Sequence, residues 1–83
     1  MGTTAAVEPN LDPKALTEAH LPLVRRCMKR ARYRYSDMPA DTTLQGVARE
    51  ALWRAALRYD PSRGASFKTY AYYWVVCALI SAR

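Results

Sequence analysis

The segment RYDPSRGASFKTYAYYW, residues 58–74, joins a chain reversal to the start of an aromatic helix. Asp60 is followed by proline, and an Asp-Pro pair breaks a preceding helix. Gly64 can adopt the positive φ that a tight turn needs. Ser66 is a residue type that accepts hydrogen bonds from the first turn of a helix as its N-cap. The segment therefore predicts the end of one helix, a turn, and the start of the next helix.

The helix after this turn, predicted from Phe67 to about Ala82, is apolar on nearly every side. Five aromatic rings fall within residues 67–74, and they either fill a core or stack on a flat ligand. A helix that is apolar all round is normally buried, but a small three-helix domain cannot enclose one of its own helices. We therefore expect Val75 and Leu79, with Val76 as a third candidate, to face the core while some of the rings face outward.

A second helix is predicted from Thr43 to about Tyr59, with Asp41 or Thr42 as its N-cap. Its apolar side chains fall on one stripe at helical spacing: Leu44, Val47, Ala48, Ala51, Leu52, Ala55 and Tyr59. Trp53 and Leu57, four residues apart, project from the opposite side. A second apolar stripe on so small a domain needs cover, either from a packed loop or from another protein.

The first helix is predicted from Lys14 to about Tyr35, and Pro22 implies either a kink or a helix start nearer His20. One side of this helix is apolar: Leu16, Leu23, Val24, Cys27, Met28 and Ala31. Residues 1–13 are small, polar and interrupted by prolines, which predicts a disordered, flexible lead-in. The sequence thus predicts an all-α fold, a compact bundle of three main helices that forms one domain over residues 14–83.

The net charge of +6 is concentrated in one place, because residues 25–34 carry six basic side chains and no acidic one. Such a run favours a polyanionic partner, either nucleic acid or an anionic membrane surface. The alternative is a solvated basic helix face that has no partner. A membrane role is disfavoured, since the apolar side of this helix is needed for the core.

The rest of the composition disfavours an enzyme, a metal site and a cofactor. His20 is the one histidine, and the sequence has no carboxylate pair on a helix face and no phosphate-binding glycine loop. Cys27 and Cys77 lie far apart among apolar residues, so two buried free thiols in a reducing cytosol are expected. No apolar run approaches the length of a membrane span, and we expect a cytoplasmic protein.

Aromatic rings beside basic side chains form a combination that suits single-stranded nucleic acid. Bases stack on aromatic faces for about 1–3 kcal/mol each, while basic groups follow the phosphates. Three or four such rings would offset the few kcal/mol that unstacking a nucleotide costs. Arg63, Lys68 and the basic first helix supply nearby charge. The alternative is that the rings are ordinary core and rim residues.

Two longer stretches, LTEAHLPLVRRCMKRARYR at 16–34 and ALWRAALRYDPSRGASFKTYAYYWVVCALI at 51–80, resemble region two of bacterial RNA polymerase sigma factors. The most specific part of the resemblance is the turn and aromatic helix at 58–74. In that family the fold is a small all-helical domain whose aromatic helix melts the minus-ten promoter element. The resemblance implies a transcription initiation module that binds the clamp of the RNA polymerase core and the non-template strand of promoter DNA.

The resemblance also implies a DNA-binding set on the turn and the aromatic helix: Arg63, Phe67, Lys68, Thr69, Tyr70, Tyr73 and Trp74. Tyr70 and Tyr73 would flank a flipped-out adenine. Tyr73 and Trp74 occupy the place of a tryptophan pair that stacks where duplex meets single strand. The preceding helix matches the polymerase-binding helix of the family, which implies polymerase contacts by Leu44, Arg49, Trp53 and Leu57.

Two motifs depart from the family pattern. Gly46 and Val47 stand where the polymerase-binding motif has glutamine and glutamate, so polymerase binding would rest on Trp53 and Leu57 instead. Residues 75–77 read Val-Val-Cys where primary members read Ile-Arg-Gln. Valine and cysteine side chains make no bidentate hydrogen bonds to a base edge, so we expect weak readout of the upstream duplex.

The sequence ends at Arg83 without the helix-turn-helix that reads the minus-thirty-five element. We therefore expect either an excised domain or a protein that works with a partner. Two functions compete on these observations. The first is promoter opening, and the second is a protein–protein module that binds an anti-sigma factor, polymerase or a second sigma-like subunit without opening DNA. Binding of single-stranded DNA separates the two, because only the first function requires it.

Overall fold

The computed structural model of the protein describes residues 12–83, and every regular element in that range is helical. Four α-helices and one short 3-10 turn follow each other along the chain: α1 (Pro13–Ala19), α2 (Leu21–Arg34), α3 (Asp41–Arg58), the 3-10 turn (Pro61–Arg63) and α4 (Phe67–Ser81). The all-α bundle is thereby confirmed. The flexible lead-in predicted for the N-terminus lies outside the described residues except for Asp12 and Pro13, which form the start of α1 instead.

The predicted first helix is two helices that meet at His20. Asp12 caps α1 by accepting a hydrogen bond from the backbone N–H of Ala15 at 3.2 Å. The backbone of His20 leaves helical geometry with φ −113° and ψ 17°, and α2 begins at the next residue. Pro22 lies in the first turn of α2, where its missing N–H leaves no helical bond unmade. A continuous helix from Lys14 was therefore wrong, and the alternative start near His20 is confirmed.

The start of α3 differs from the prediction. The helix begins at Asp41, and its N-cap is Ala40, whose side chain makes no capping hydrogen bond. Neither Asp41 nor Thr42 is the cap, because both already lie inside the first turn of the helix. The Asp41 carboxylate accepts a hydrogen bond from Nε of Arg32 on α2. The same guanidinium donates to the carbonyl oxygen of Pro39. Arg32 therefore holds the α2–α3 connection against the helix that precedes it.

The core lies where α4 packs on α3, the most extensive helix contact in the fold. Phe67, Ala71, Val75 and Leu79 recur every four residues on α4 and are all buried. The facing side of α3 is built largely from alanine, which lets the two helices approach closely. The buried residues are Leu16, Leu23, Val24, Cys27, Ala31, Leu44, Ala48, Ala51, Leu52, Ala55, Ala56, Phe67, Ala71, Val75 and Leu79. The prediction that Val75 and Leu79 face the core is confirmed, while Val76 is half-buried.

The prediction that both cysteines are buried is confirmed for Cys27 and wrong for Cys77. Cys27 is buried, and this burial raises the pKa of its thiol, although Arg26 and Arg30 nearby act in the opposite direction. Cys77 is exposed. Cys77 lies two residues from both Val75 and Leu79. Two residues rotate a side chain by about 200° around the helix axis, so Cys77 points away from the core stripe.

Trp53 and Leu57 lie on the outer face of α3, as predicted, with 41% and 55% of their surfaces exposed. Within residues 12–83 no loop covers this stripe. No helix in that same range is long and apolar enough to cross a membrane. Nor does the described part of the chain group three His, Cys, Asp or Glu side chains in a way that would hold a metal ion.

Arg83 connects the end of α4 to the turn after α2. Its guanidinium donates two hydrogen bonds to the Asp37 carboxylate, at 3.0 and 3.2 Å. It also lies over the ring of Tyr35, 4.2 Å from the ring centroid. The hydrogen bonds from Arg83 hold the pKa of Asp37 below its ordinary value. This contact keeps the C-terminal end of α4 beside α2.

We expect Leu52→Ala to lower the free energy of unfolding by about 2–5 kcal/mol, because it leaves a cavity in a fully buried site. Leu57→Ala removes the same atoms from an exposed position of the same helix and should change stability by no more than about 0.5 kcal/mol. Urea denaturation followed by circular dichroism measures both changes. Equal losses in the two variants would contradict the assignment of α3's inner and outer faces.

Candidate nucleic-acid interface

The connection between α3 and α4 is fixed by local hydrogen bonds. The Asp60 carboxylate accepts from the backbone N–H of Ser62 at 3.0 Å and from its hydroxyl at 2.7 Å. Both bonds hold the pKa of the Asp60 carboxyl below its ordinary value, and the bond from the hydroxyl has the larger effect. Gly64 has φ 95°, a conformation that side chains other than glycine rarely adopt. The Tyr59 hydroxyl donates to the carbonyl oxygen of Ala65 at 2.8 Å.

Ser66 caps α4 as predicted. Its side-chain oxygen accepts the backbone N–H of Thr69 at 3.2 Å, and the two hydroxyls lie 3.1 Å apart. This cap determines where the helix starts and therefore which way its side chains project. With Phe67 directed into the core, Lys68 and Thr69 are exposed and turned toward α2. The turn thus places the first polar residues of α4 opposite the basic helix.

An open groove of about 740 Å³ runs between α2 and α4, and we call it the α2/α4 groove. It is lined by three tyrosines (Tyr33, Tyr72 and Tyr73), four basic side chains (Arg26, Lys29, Arg30 and Lys68), and Leu23 and Thr69. No acidic side chain lines it. Tyr33 is 94% and Tyr73 64% exposed, so each presents most of its ring to solvent.

The charge of the α2/α4 groove is not neutralised from within the described part of the chain. Salt bridges there join Arg32 to Asp41, Arg54 to Glu50, and Arg83 to Asp37. None of the four basic side chains of the groove takes part in them. Four uncompensated positive charges beside aromatic rings favour an anionic ligand with flat groups, which is the chemistry of single-stranded nucleic acid.

A second set of rings lies on the α3 side of α4. Tyr70 packs against Tyr59, with ring centroids 5.7 Å apart, and against Trp74 at 6.2 Å. The guanidinium of Arg58 lies over the Trp74 ring at 5.9 Å. Tyr70 and Trp74 are half-buried and already have protein partners. The ring of Tyr73 pairs instead with that of Tyr72, and the two ring centroids are 5.8 Å apart.

Tyr73 stands on the ridge between two depressions. One is the α2/α4 groove, and the other is a shallower one between α3 and α4 that also includes Trp74 and Cys77. That second depression contains the salt bridge between Glu50 and Arg54, so its charges are balanced. Of the rings predicted to stack on DNA, Tyr73 is thus the one whose faces are most open to a ligand.

Two of the predicted site residues lie in the core. Phe67 is 5% exposed and packs edge-on against His20 and Tyr59, with centroids 4.8 and 5.3 Å away. Leu44 is completely buried. Neither side chain is on the surface, where the predicted DNA and polymerase contacts would need it. Each belongs to the inward stripe of its helix, so its role is to hold that helix in place.

The other predicted residues are at the surface but not in one site. Lys68, Thr69 and Tyr73 line the α2/α4 groove, whereas Tyr70 and Trp74 face α3, and Arg63 is exposed on the 3-10 turn outside the groove. On α3, the exposed residues predicted to contact polymerase are Arg49, Trp53 and Leu57.

The basic run 25–34 was predicted to supply charge beside the rings, but no individual residue of that run was named as part of the site. Four residues of this run line the groove: Arg26, Lys29, Arg30 and Tyr33. The last three follow Arg26 by three, four and seven residues, so all four share one face of the helix. That spacing was readable from the sequence. Tyr72, which was not among the predicted DNA-binding residues, also lines the groove from α4.

A protein-family model matches the bundle from within α1 to its C-terminal end. The family model described as Sigma-70 region 2 matches residues 16–83, which include all of α2, α3 and α4. Comparison with curated proteins and with solved structures gave no match.

We expect Ser66→Ala to lower the free energy of unfolding by about 1 kcal/mol, because the N–H of Thr69 loses its capping partner. Ser36→Ala is the matched control, since Ser36 is exposed and its hydroxyl makes no hydrogen bond among residues 12–83. Urea denaturation measures both. A loss in the control as large as that in Ser66→Ala would refute the stabilising role of this cap.

Proposed function

This chain belongs to the Sigma-70 region 2 family, and from that premise we propose that it is a transcription initiation module that holds the non-template strand of the minus-ten element in the α2/α4 groove. The observation that carries the proposal is the groove itself, where four basic side chains that have no carboxylate partner within residues 12–83 lie beside three tyrosines. The basic side chains contact phosphates, and the exposed tyrosines stack on bases.

The residues of the groove divide this work by position. Arg26, Lys29 and Arg30 follow one another along α2 and track the strand's backbone. Lys68 faces them from α4. Tyr73 provides the stacking surface, since its ring is the more exposed of the two that α4 contributes to the groove. Tyr70 and Trp74 support α4 from the α3 side, where Tyr59 and Arg58 hold their rings.

The energies favour capture of an open strand over opening of a duplex by this domain alone. One stacked base contributes about 1–3 kcal/mol, and unstacking a nucleotide costs a few kcal/mol. The two exposed rings of the groove, Tyr33 and Tyr73, therefore offset the cost of about one or two bases at most. Phosphate contacts and the polymerase must supply the rest. On this basis we propose that the module stabilises a strand that becomes single-stranded on the polymerase.

We propose that polymerase core binds the outer face of α3 through Trp53 and Leu57, with Arg49 beside them. The support is an exposed apolar stripe that nothing within residues 12–83 covers. This face lies on the far side of α3 from α4 and the α2/α4 groove, so the two partners would not compete for one surface. The lost Gln and Glu of the family motif leave these apolar contacts as the main attraction.

A second candidate function is a protein–protein module that binds an anti-sigma factor, polymerase or a second sigma-like subunit without contacting DNA. The observation that favours it is the separation of the rings, because Tyr70 and Trp74 are occupied by protein partners rather than free beside Tyr73. Single-stranded DNA binding distinguishes the two functions.

We expect Tyr73→Ala to weaken binding of a fluorescein-labelled non-template minus-ten oligonucleotide roughly 5- to 150-fold, the equivalent of about 1–3 kcal/mol for one stacked base. Trp53→Ala is the matched control, because it removes an exposed ring from the opposite face and should leave this affinity unchanged. Fluorescence anisotropy at low salt measures both.

A salt titration of the same complex tests the basic side of the groove. Replacing Lys68 with alanine should reduce the slope of log affinity against log salt by about 0.7, the value for one phosphate contact on a single strand. If Tyr73→Ala binds as well as the wild type, stacking plays no part and only charge remains. If nothing binds at low salt, the second candidate function replaces the first.

For the polymerase contact, we expect Trp53→Ala/Leu57→Ala to weaken binding to purified RNA polymerase core by about tenfold or more, as truncation of buried interface anchors does. Tyr73→Ala should retain core binding, since its ring lies on the other side of the domain. Surface plasmon resonance with immobilised core measures both. If Tyr73→Ala loses core binding while Trp53→Ala/Leu57→Ala keeps it, the polymerase does not bind the outer face of α3 and this proposal is refuted.

A further inference from the structure

A second groove, of about 970 Å³, lies on the other side of α2, between α2 and α3, and we call it the α2/α3 groove. It is formed by the length of α2 from Leu21 to Arg32 and by the first half of α3 up to Arg49. Neither the proposed DNA contacts nor the stripe of Trp53 and Leu57 uses it as a whole. Its volume exceeds that of the α2/α4 groove.

This groove is strongly basic. Arg25, Arg26, Lys29, Arg32 and Arg49 line it, against a single carboxylate, that of Asp41. Asp41 is already paired with Arg32. The four other basic side chains make no salt bridge within residues 12–83. Of the two grooves, Arg25 and Arg49 line only this one, and Arg49 also borders the proposed polymerase contact at Trp53 and Leu57. Arg26 and Lys29 lie on the crest of α2 and border both grooves. A partner for this surface must therefore be acidic.

The lining also has an apolar part, and it has no aromatic ring. Leu21, Pro22 and Met28 lie among the basic side chains. Methionine is flexible and polarizable, and it adapts to varied apolar partners. The stacking rings that a base would need lie elsewhere, three of them in the α2/α4 groove. An acidic ligand with an apolar side fits this combination better than a nucleic-acid backbone does.

The dimensions match a short helix. Leu21 to Arg32 covers eleven residues of rise along α2, or about 16 Å, which equals about three helical turns. A helix that presents apolar residues at i, i+4 and i+7 toward Met28 and Leu21 places its flanking positions beside the arginines of both walls.

We propose that the α2/α3 groove is a docking site for an acidic amphipathic helix of a partner protein. Arg25 and Arg49 meet its carboxylates from the two walls, and Met28 contacts its apolar side. This site does not depend on the DNA contacts proposed above. It adds a protein partner on the flank of α2 opposite the strand.

The test uses a labelled peptide of about 12 residues that carries leucines at i, i+4 and i+7 and glutamates on both flanks. A peptide of the same composition in scrambled order is the control, because it keeps the charge but not the apolar face. The protein variants are Arg25→Glu/Arg49→Glu and, as a matched charge change in the other groove, Arg30→Glu/Lys68→Glu. All four positions are exposed, and circular dichroism checks that both variants keep the wild-type helicity.

We expect Arg25→Glu/Arg49→Glu to weaken binding of the amphipathic peptide by about tenfold, with a smaller effect of Arg30→Glu/Lys68→Glu. The minus-ten oligonucleotide should show the opposite order. Anisotropy with each probe at low salt gives all the affinities. Binding of the oligonucleotide without binding of the peptide would overturn this inference and leave the proposed function standing.

Three other results would also overturn it. Equal affinity for the scrambled peptide would mean that the protein's positive charge alone attracts the peptide and that its apolar face is not recognised. Equal loss in the two double variants would mean that net charge rather than the groove determines binding. An oligonucleotide that loses as much affinity in Arg25→Glu/Arg49→Glu as the peptide does would assign the groove to nucleic-acid phosphates.

Discussion

The packing of α4 on α3 is the constraint from which the rest of the molecule follows. A helix that is apolar on nearly all sides has to be accommodated by a domain with too few helices to surround it. The stripe that runs from Phe67 to Leu79 every four residues packs on α3, and each of its four side chains is buried. Once that stripe is inside, the neighbouring positions are forced outward. The exposure of Tyr73 is thus a consequence of how the core is filled.

Much of this fold could be predicted from local patterns. The Asp-Pro break, Gly64 and the Ser66 cap act over a few residues, so their chemistry is visible in the sequence. The outward stripe of Trp53 and Leu57 follows from helical periodicity alone. The split at His20 was harder, because a proline is compatible with either a kink or a new helix, and the choice depends on what surrounds it. The cap of α3 was misjudged because the helix starts two residues earlier than predicted, with Ala40 in the N-cap position, and the Asp41 carboxylate pairs with Arg32 of α2.

The candidate site could be predicted less completely, for a reason of topology. Family resemblance identifies the aromatic helix, but it does not say which rings a given set of neighbours will cover. Phe67 faces the core because it shares a stripe with Ala71 and Val75, and tertiary packing decides between equivalent apolar stripes. The groove has two walls, and the wall from α2 appears only when α2 and α4 are known to be adjacent. Basic residues then lie on both flanks of α2, and the two grooves that they line differ in whether they contain aromatic rings.

Alanine makes up six of the buried residues in the described part of the chain: Ala31, Ala48, Ala51, Ala55, Ala56 and Ala71. Interiors are packed so tightly that one added methylene is felt. A larger side chain at Ala55 or Ala71 would push α4 away from α3 and toward α2. The separation of the walls that face a ligand is therefore set by small residues that never touch it. Descendants of this sequence could retune which ligands enter by exchanging methyl groups in the interior, while every surface residue stayed the same.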